Sequence, residues 1–226
     1  MNYQIVKKFP VPEVDPEEFD SDAEREMWEW VCELLAHGYL KDAKVHPRTF
    51  CLVEGIEEQV ITKYKRNKVK GKDYKITSRT LLNGHSYTPD LYLAPFTNGT
   101  PFIDMANCLG WICTAGRNDL ITPETGFYIE VKSLTYSKYN NHREFAINQK
   151  WMWEKHHVYV NRVDPRKLFR KTFCPVSLYF MKNRKDLTIR KPFANCHLLS
   201  ERRGGLFRGD CRVVNRMIDP DDILTM

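Results

Sequence analysis

The chain is 226 residues long, 42% hydrophobic and 28% charged, with a formal net charge of +6 at pH 7. This is the balance of a globular protein that can bury a sizeable core, and the lack of any apolar run of membrane-spanning length excludes an integral membrane protein. Met1 to Pro10 lacks the apolar stretch of a secretion signal, and the 7 cysteines are irregularly spaced, so a reduced, intracellular chain is expected.

The charge is unevenly spread. Residues 1–33 hold ten acids and three bases, and the remaining residues carry a surplus of +13. A basic body of this kind suits a polyanionic partner, with nucleic acid the first candidate.

In chain order, residues 1–18, with Pro10, Pro12 and Pro16, read as an extended arm. Phe19 to Leu40 reads as a helix: Ser21 and Glu24 have capping-box spacing, Met27, Val31 and Leu34 form an apolar stripe, and Gly38 sits near the stop. From about Val45 to Leu93 the pattern is of strands, at Phe50 to Val53, Gln59 to Tyr64, Tyr74 to Thr80 and Ser86 to Leu93. Residues 95–126 read as an irregular insertion with one apolar stretch, Met105 to Cys113. A strand at Phe127 to Leu134, a helix at Arg143 to His156 and a strand at His157 to Val163 follow. Pro165 to Lys171 is a short helix, Val176 to Met181 a strand and Leu187 to Ile189 an edge strand. The expected fold class is α/β, a central mixed sheet flanked by helices with an inserted loop region. One domain over residues 19–192 is expected, followed by a basic extension over 193–226.

The chemistry concentrates at Thr88-Pro89-Asp90 and Glu130-Val131-Lys132. Strand alternation sends Phe127, Ile129 and Val131 into apolar packing and turns Tyr128, Glu130 and Lys132 to the other face. Asp90 lies in the strand-like stretch Tyr87 to Leu93, with Tyr87, Leu91 and Leu93 on the opposite face. Two carboxylates on neighbouring strands can share a hard cation such as Mg²⁺, which prefers oxygen ligands and keeps positions open for water and phosphate. A lysine beside them can position or deprotonate an attacking water and offset charge on a phosphate. Thirty-nine residues separate Asp90 from Glu130, which leaves Asp104 as the rival carboxylate.

Pro89-Asp90 and Glu130-Val131-Lys132, with Glu24 on a helix ahead of the sheet and a helix then a strand around His156 to Val160, resemble the signature of PD-(D/E)XK nucleases. The layout is similar to phage-encoded members of the resolvase type. The resemblance implies a restriction-endonuclease-like core and metal-dependent hydrolysis of DNA phosphodiester bonds. In that reading Asp90, Glu130 and Glu24 hold Mg²⁺ or Mn²⁺, Lys132 is the catalytic lysine, and Gln149 (or its neighbour Lys150) borders the site from the helix after the lysine. It also implies a homodimer that acts on branched DNA such as Holliday junctions. A restriction- or transposition-type nuclease and a non-catalytic nucleic-acid-binding protein on the same fold are the alternatives.

Basic clusters supply candidate DNA contacts. Lys63, Lys65, Arg66, Lys68, Lys70 and Lys72 lie around a turn at Gly71, flanked by Tyr64 and Tyr74. Lys138 and the group Arg166, Lys167 and Arg170, with Lys171, add to them. Trp111 and Arg117 in the insertion are candidates for base stacking and phosphate contact, with core packing the commoner role for Trp111. Cys108, Cys113, Cys196, His197 and Cys211 match no zinc template, so free thiols are expected. No phosphate loop for ATP is present.

Overall fold

The computed structural model describes residues 12–63, 74–96, 101–115, 125–132, 141–183, 186–201 and 205–208. In chain order these form α1 (Asp22–Ala36), β1 (Leu40–Val45), β2 (Phe50–Val53), β3 (Ile56–Lys63), β4 (Tyr74–Leu82), β5 (His85–Tyr87), β6 (Leu91–Pro95), α2 (Pro101–Leu109), β7 (Thr114–Ala115) and β8 (Thr125–Val131). They continue through α3 (Asn141–His156), β9 (Val160–Val163), α4 (Pro165–Lys171), α5 (Val176–Tyr179), β10 (Phe180–Asn183) and β11 (Asp186–Ile189). The class is α/β, with a mixed sheet flanked by helices, as expected.

The chain forms two compact units, one of residues 1–48 and 89–226 and the other of Thr49–Thr88. In the larger unit β8 is central. It pairs antiparallel with β6, which pairs antiparallel with β1; on its other side it takes the short β7 and, in parallel, β9. The parallel step from β8 to β9 requires a crossover, which α3 provides. In the smaller unit β2 pairs with β5 and β3 with β4, both antiparallel. The β3–β4 ribbon is exposed along most of both strands, so its apolar residues Ile61 and Ile76 are largely in solvent.

The core of the larger unit lies between one face of the sheet and α1. Leu91, Leu93, Phe127, Ile129 and Val131 alternate onto that face, and Met27, Val31 and Leu34 meet them from the helix. Trp30 is fully buried, stacks on Phe173 at 5.6 Å between ring centroids and donates its indole N–H to Thr172 Oγ1 at 3.2 Å. On the opposite face Tyr92 lies 5.0 Å from Tyr128, ring to ring. Gly126 makes this possible, because a Cβ there would stand 2.5 Å from the Tyr92 ring.

Several elements depart from the sequence pattern. The first helix stops at Ala36, where Gly38 takes φ 72 and Tyr39 N–H donates back to the Leu34 carbonyl, and Leu40 already opens β1. The expected strand over Ser86 to Leu93 is broken into β5 and β6 at Thr88-Pro89-Asp90, where Pro89 has no N–H to give a ladder. The segment 95–126 is not wholly irregular: α2 buries Phe102, Met105 and Ala106 in the core. Thr49–Thr88, within the stretch expected as strands, forms a compact unit of its own. Val176 to Tyr179 is helical rather than extended, because Pro175 is set at φ −55 and the Val176 N–H is taken by Glu33 Oε2 at 3.0 Å. The strand after α3 starts only at Val160: His157, at φ 52, ends the helix and donates its N–H to the Trp153 carbonyl. The start of the basic extension is core, with Phe193, Cys196, Leu198, Leu199 and Leu206 buried. Cys108 is disulfide-bonded, against the expectation of free thiols throughout, whereas Cys32, Cys51, Cys113, Cys174 and Cys196 are in no disulfide. Among the described residues no helix is long and apolar enough to cross a membrane.

Glu33 is a buried acid inside this core. Burial first, and the Glu29 carboxylate less strongly, push it up to about 7, against the opposing bond from Val176 N–H. Below about pH 4.5 it is protonated both folded and unfolded and costs nothing. Between there and pH 7 the unfolded chain releases the proton while the folded chain keeps it, so stability falls as pH rises, by about 3 kcal/mol in all. Glu33→Gln keeps the acceptor for Val176 and removes the charge. Urea unfolding should show the variant more stable than wild type at pH 8 and the gap closing at pH 4; a gap independent of pH would exclude this titration.

Candidate active site

The break between β5 and β6 leaves Asp90 at the head of β6. The β6–β8 register pairs Leu91 with Ile129, so the next step sets Asp90 opposite Glu130. Both are buried, Asp90 at 9% and Glu130 at 5% exposure. Asp90 is held from two sides: its Oδ2 accepts the Val131 N–H at 2.6 Å, and its carbonyl accepts the His46 N–H at 2.9 Å. The three strands β1, β6 and β8 are thus tied together at this residue.

Lys132 follows the end of β8, on the face of Glu130. Its Nζ lies 2.7 Å from Glu130 Oε1, and its N–H donates to the Val163 carbonyl of β9 at 2.8 Å. The Lys132 side chain is about one-third exposed, so it can reach a bound molecule.

Glu24 reaches this corner from the first turn of α1. Ser21 caps the helix, accepting the Glu24 N–H at 3.2 Å and donating its hydroxyl to Glu24 Oε1 at 2.8 Å. The Asp20 N–H donates to Glu24 Oε2 at 3.0 Å. The expected capping box is therefore present in a shifted form, and Glu24 is only 6% exposed, on the inward side with Met27 and Val31. Its carboxylate also acts on Asp90. Capping and a place at the site are not exclusive here.

The electrostatics follow from this convergence. Burial, then the Glu130 charge, push the Asp90 carboxyl up to about 8; Glu24 adds to this, while the Val131 N–H and Lys132 oppose it. Burial pulls the Lys132 ammonium down, but its bond to Glu130 and the charges of Glu130, Asp90 and Glu24 outweigh that and hold it above its ordinary value. The arrangement is three acidic side chains and one ammonium around a buried corner, with oxygen donors of the type that hard divalent cations take.

His46 is a member that sequence reasoning missed. It ends β1 in the left-handed region, at φ 42, and its Nε2 lies 3.9 Å from Glu24 Oε2 and 4.0 Å from Asp20 Oδ2. The donor atoms of Asp20, Glu24 and His46 all lie within 4.8 Å of one another. A lone histidine after a strand carries no sequence signal of this kind.

The remaining expected residues divide. Asp104 is exposed in the first turn of α2, and Asp90 is the carboxylate that faces Glu130. Gln149 lies between the buried Phe145 and Met152 on α3, as expected, but its Nε2 donates to the Val160 carbonyl at 2.8 Å, a tether between helix and β9. Lys150 is exposed. Trp111 packs in the core against Trp30, Phe102 and Phe127. Lys63 is exposed on β3, whereas Lys65, Arg66, Lys68, Lys70, Lys72, Lys138 and Arg117 lie outside the described residues. On α4 the basic group faces two ways: Arg166 turns toward Glu26 of α1, 3.9 Å away, while Lys167 turns with Lys171 to a pocket that Lys132 also lines. No protein-family model, curated protein or solved structure matches this chain.

Because Glu130 is the largest charge acting on Asp90, its removal should lower the Asp90 pKa. In metal-free protein, carboxyl NMR should follow Asp90 titrating near pH 8 in wild type and at lower pH in Glu130→Gln. An unmoved midpoint would mean that burial alone sets it.

Proposed function

We propose that this chain is a divalent-metal-dependent endonuclease that hydrolyses DNA phosphodiester bonds, with a restriction-endonuclease-like core of the PD-(D/E)XK kind. The observation that carries the reading is the buried pair Asp90 and Glu130 on adjacent strands, with Lys132 at 2.7 Å from Glu130. The order α1, β1, β6, β8, α3, β9, with the acids where β6 begins and β8 ends, supports it. So does the donor set: carboxylates forced together in a buried corner repel one another, and a cation relieves this.

Asp90 and Glu130 would hold Mg²⁺ or Mn²⁺, with Glu24 beside them. The bound ion would stabilise charge on the phosphate and lower the pKa of water. Lys132, held as an ammonium by Glu130, donates a hydrogen bond to a phosphate oxygen or orients the incoming water. Val131 N–H and His46 N–H fix Asp90 before substrate arrives. The substrate is DNA, and branched DNA cut by a homodimer is the specific form we propose.

Labelled linear duplex, single-stranded, flap and four-way-junction DNA, each with Mg²⁺, Mn²⁺ or EDTA, test this. Metal-dependent cutting is expected, strongest on junctions, and Lys132→Ala should lower it about 10²–10³-fold. No cutting of any substrate, with unchanged DNA binding in the variant, would leave a non-catalytic binding protein.

Metal binding itself has a readout apart from cleavage. At a Mn²⁺ concentration about 100-fold above its dissociation constant, linkage adds about 2.7 kcal/mol of stability, or about 5–10 °C in melting temperature for a chain of this size. Wild type should show the shift and Asp90→Asn should lose most of it. An equal shift in both proteins would place the ion elsewhere.

A further inference from the structure

Lys132, bonded to Glu130, also lines an open pocket of about 280 Å³ between the end of β9, α4 and the end of α2. At about 30 Å³ per water it has room for roughly nine waters, so it admits a phosphate with its sugar. Its charged wall is Lys132, Arg162, Lys167 and Lys171, against a single acid, Asp164. Asp164 caps α4, its Oδ1 accepting the N–H groups of Arg166 at 3.0 Å and Lys167 at 3.3 Å.

The cations come from two elements. Lys167 and Lys171 are one turn apart on α4 and share a face. Arg162 is the register partner of Glu130 in the parallel β8–β9 pair, on the sheet face that carries Glu130 and Lys132. Among the described residues no ion pair joins Arg162, Lys167 or Lys171 to an acid. Like charges around one concavity repel each other and attract an anion. The floor is apolar, made by Leu109, Trp111, Val163 and Leu168, and suits the face of a sugar rather than a bare, fully hydrated ion.

We infer that this pocket seats a phosphate of the nucleic-acid strand next to the linkage presented to Asp90 and Glu130, its sugar resting on Trp111 and Leu109. The inference rests on the reading of the adjoining site as a phosphodiester hydrolase, and it extends that reading from the scissile group to its neighbour. Lys132 is the shared wall: one side faces the carboxylates, the other the seated phosphate. The pocket thereby sets which linkage along the strand lies over the acids. The phosphate is either a strand terminus or an internal linkage, and the chemistry of the seat is the same.

The test is binding in EDTA, where no cleavage occurs. One tetranucleotide, with a 5′-phosphate or a 5′-hydroxyl, is titrated against wild type and against Arg162→Gln/Lys171→Gln, two surface changes whose fold is checked by circular dichroism. The double variant should bind at least tenfold more weakly, and its plot of log affinity against log salt should be shallower by about 0.7 for each lost contact. A wild-type preference for the 5′-phosphate identifies a terminal seat, and no preference an internal one. Equal affinity and equal salt slope in variant and wild type overturn the inference. The cleavage assay reports separately: a protein that binds in this way but cuts nothing refutes the hydrolase and leaves the phosphate seat standing.

Discussion

Two acids share a buried corner, and much of the larger unit is arranged to keep them there. Asp90 is bonded through its side chain to the backbone of β8 and through its carbonyl to the end of β1. Its position is thus set by strand pairing rather than by a flexible loop, which is how a site gains precision. The cost is electrostatic: two carboxylates out of water cannot both be charged cheaply. Lys132 offsets part of this, and Asp90 meets the rest by holding its proton to about pH 8. A fold with no use for this corner would fill it with apolar side chains, since local conflicts of this kind gather at functional sites.

The first helix serves the core and the site at once. Its apolar stripe of Met27, Val31 and Leu34 packs on the sheet, and the same periodicity carries Glu24, one turn earlier, to the buried corner. Ser21 then has two effects: it satisfies a free N–H at the helix start and fixes the rotamer of an acid beside Asp90. Trp30, stacked on Phe173 and bonded to Thr172, joins this helix to the segment after α4, so the acidic corner and the basic pocket share one packed support.

Charge in this unit is sorted by short elements rather than by long sequence blocks. Arg166, Lys167, Arg170 and Lys171 form one basic run in the sequence, yet the helix sends Arg166 to Glu26 and Lys167 with Lys171 to the pocket beside Lys132. Arg162, which no basic run contains, joins that pocket because β9 lies in parallel register with β8.

Local chemistry was enough to read much of this. The apolar alternation of Phe127, Ile129 and Val131 marks β8 and turns Glu130 and Lys132 to one face, and helical spacing puts Glu24 inward with Met27, because both patterns depend only on backbone periodicity. Gly38 and Pro165 mark element ends for equally local reasons. What local chemistry could not supply was pairing across long separations. That Asp90 rather than Asp104 faces Glu130 follows from the β6–β8 register, and that His46 stands beside Glu24 follows from where β1 ends. The helix at Val176 depends on Glu33, 143 positions away in the chain. The strands of Thr49–Thr88 were visible as strands, but their closing on one another as a separate unit was not, since side-chain pattern marks a strand and only hydrogen bonding chooses its partner. Periodicity is a property of neighbours in the chain; a buried acidic corner is a property of neighbours in space.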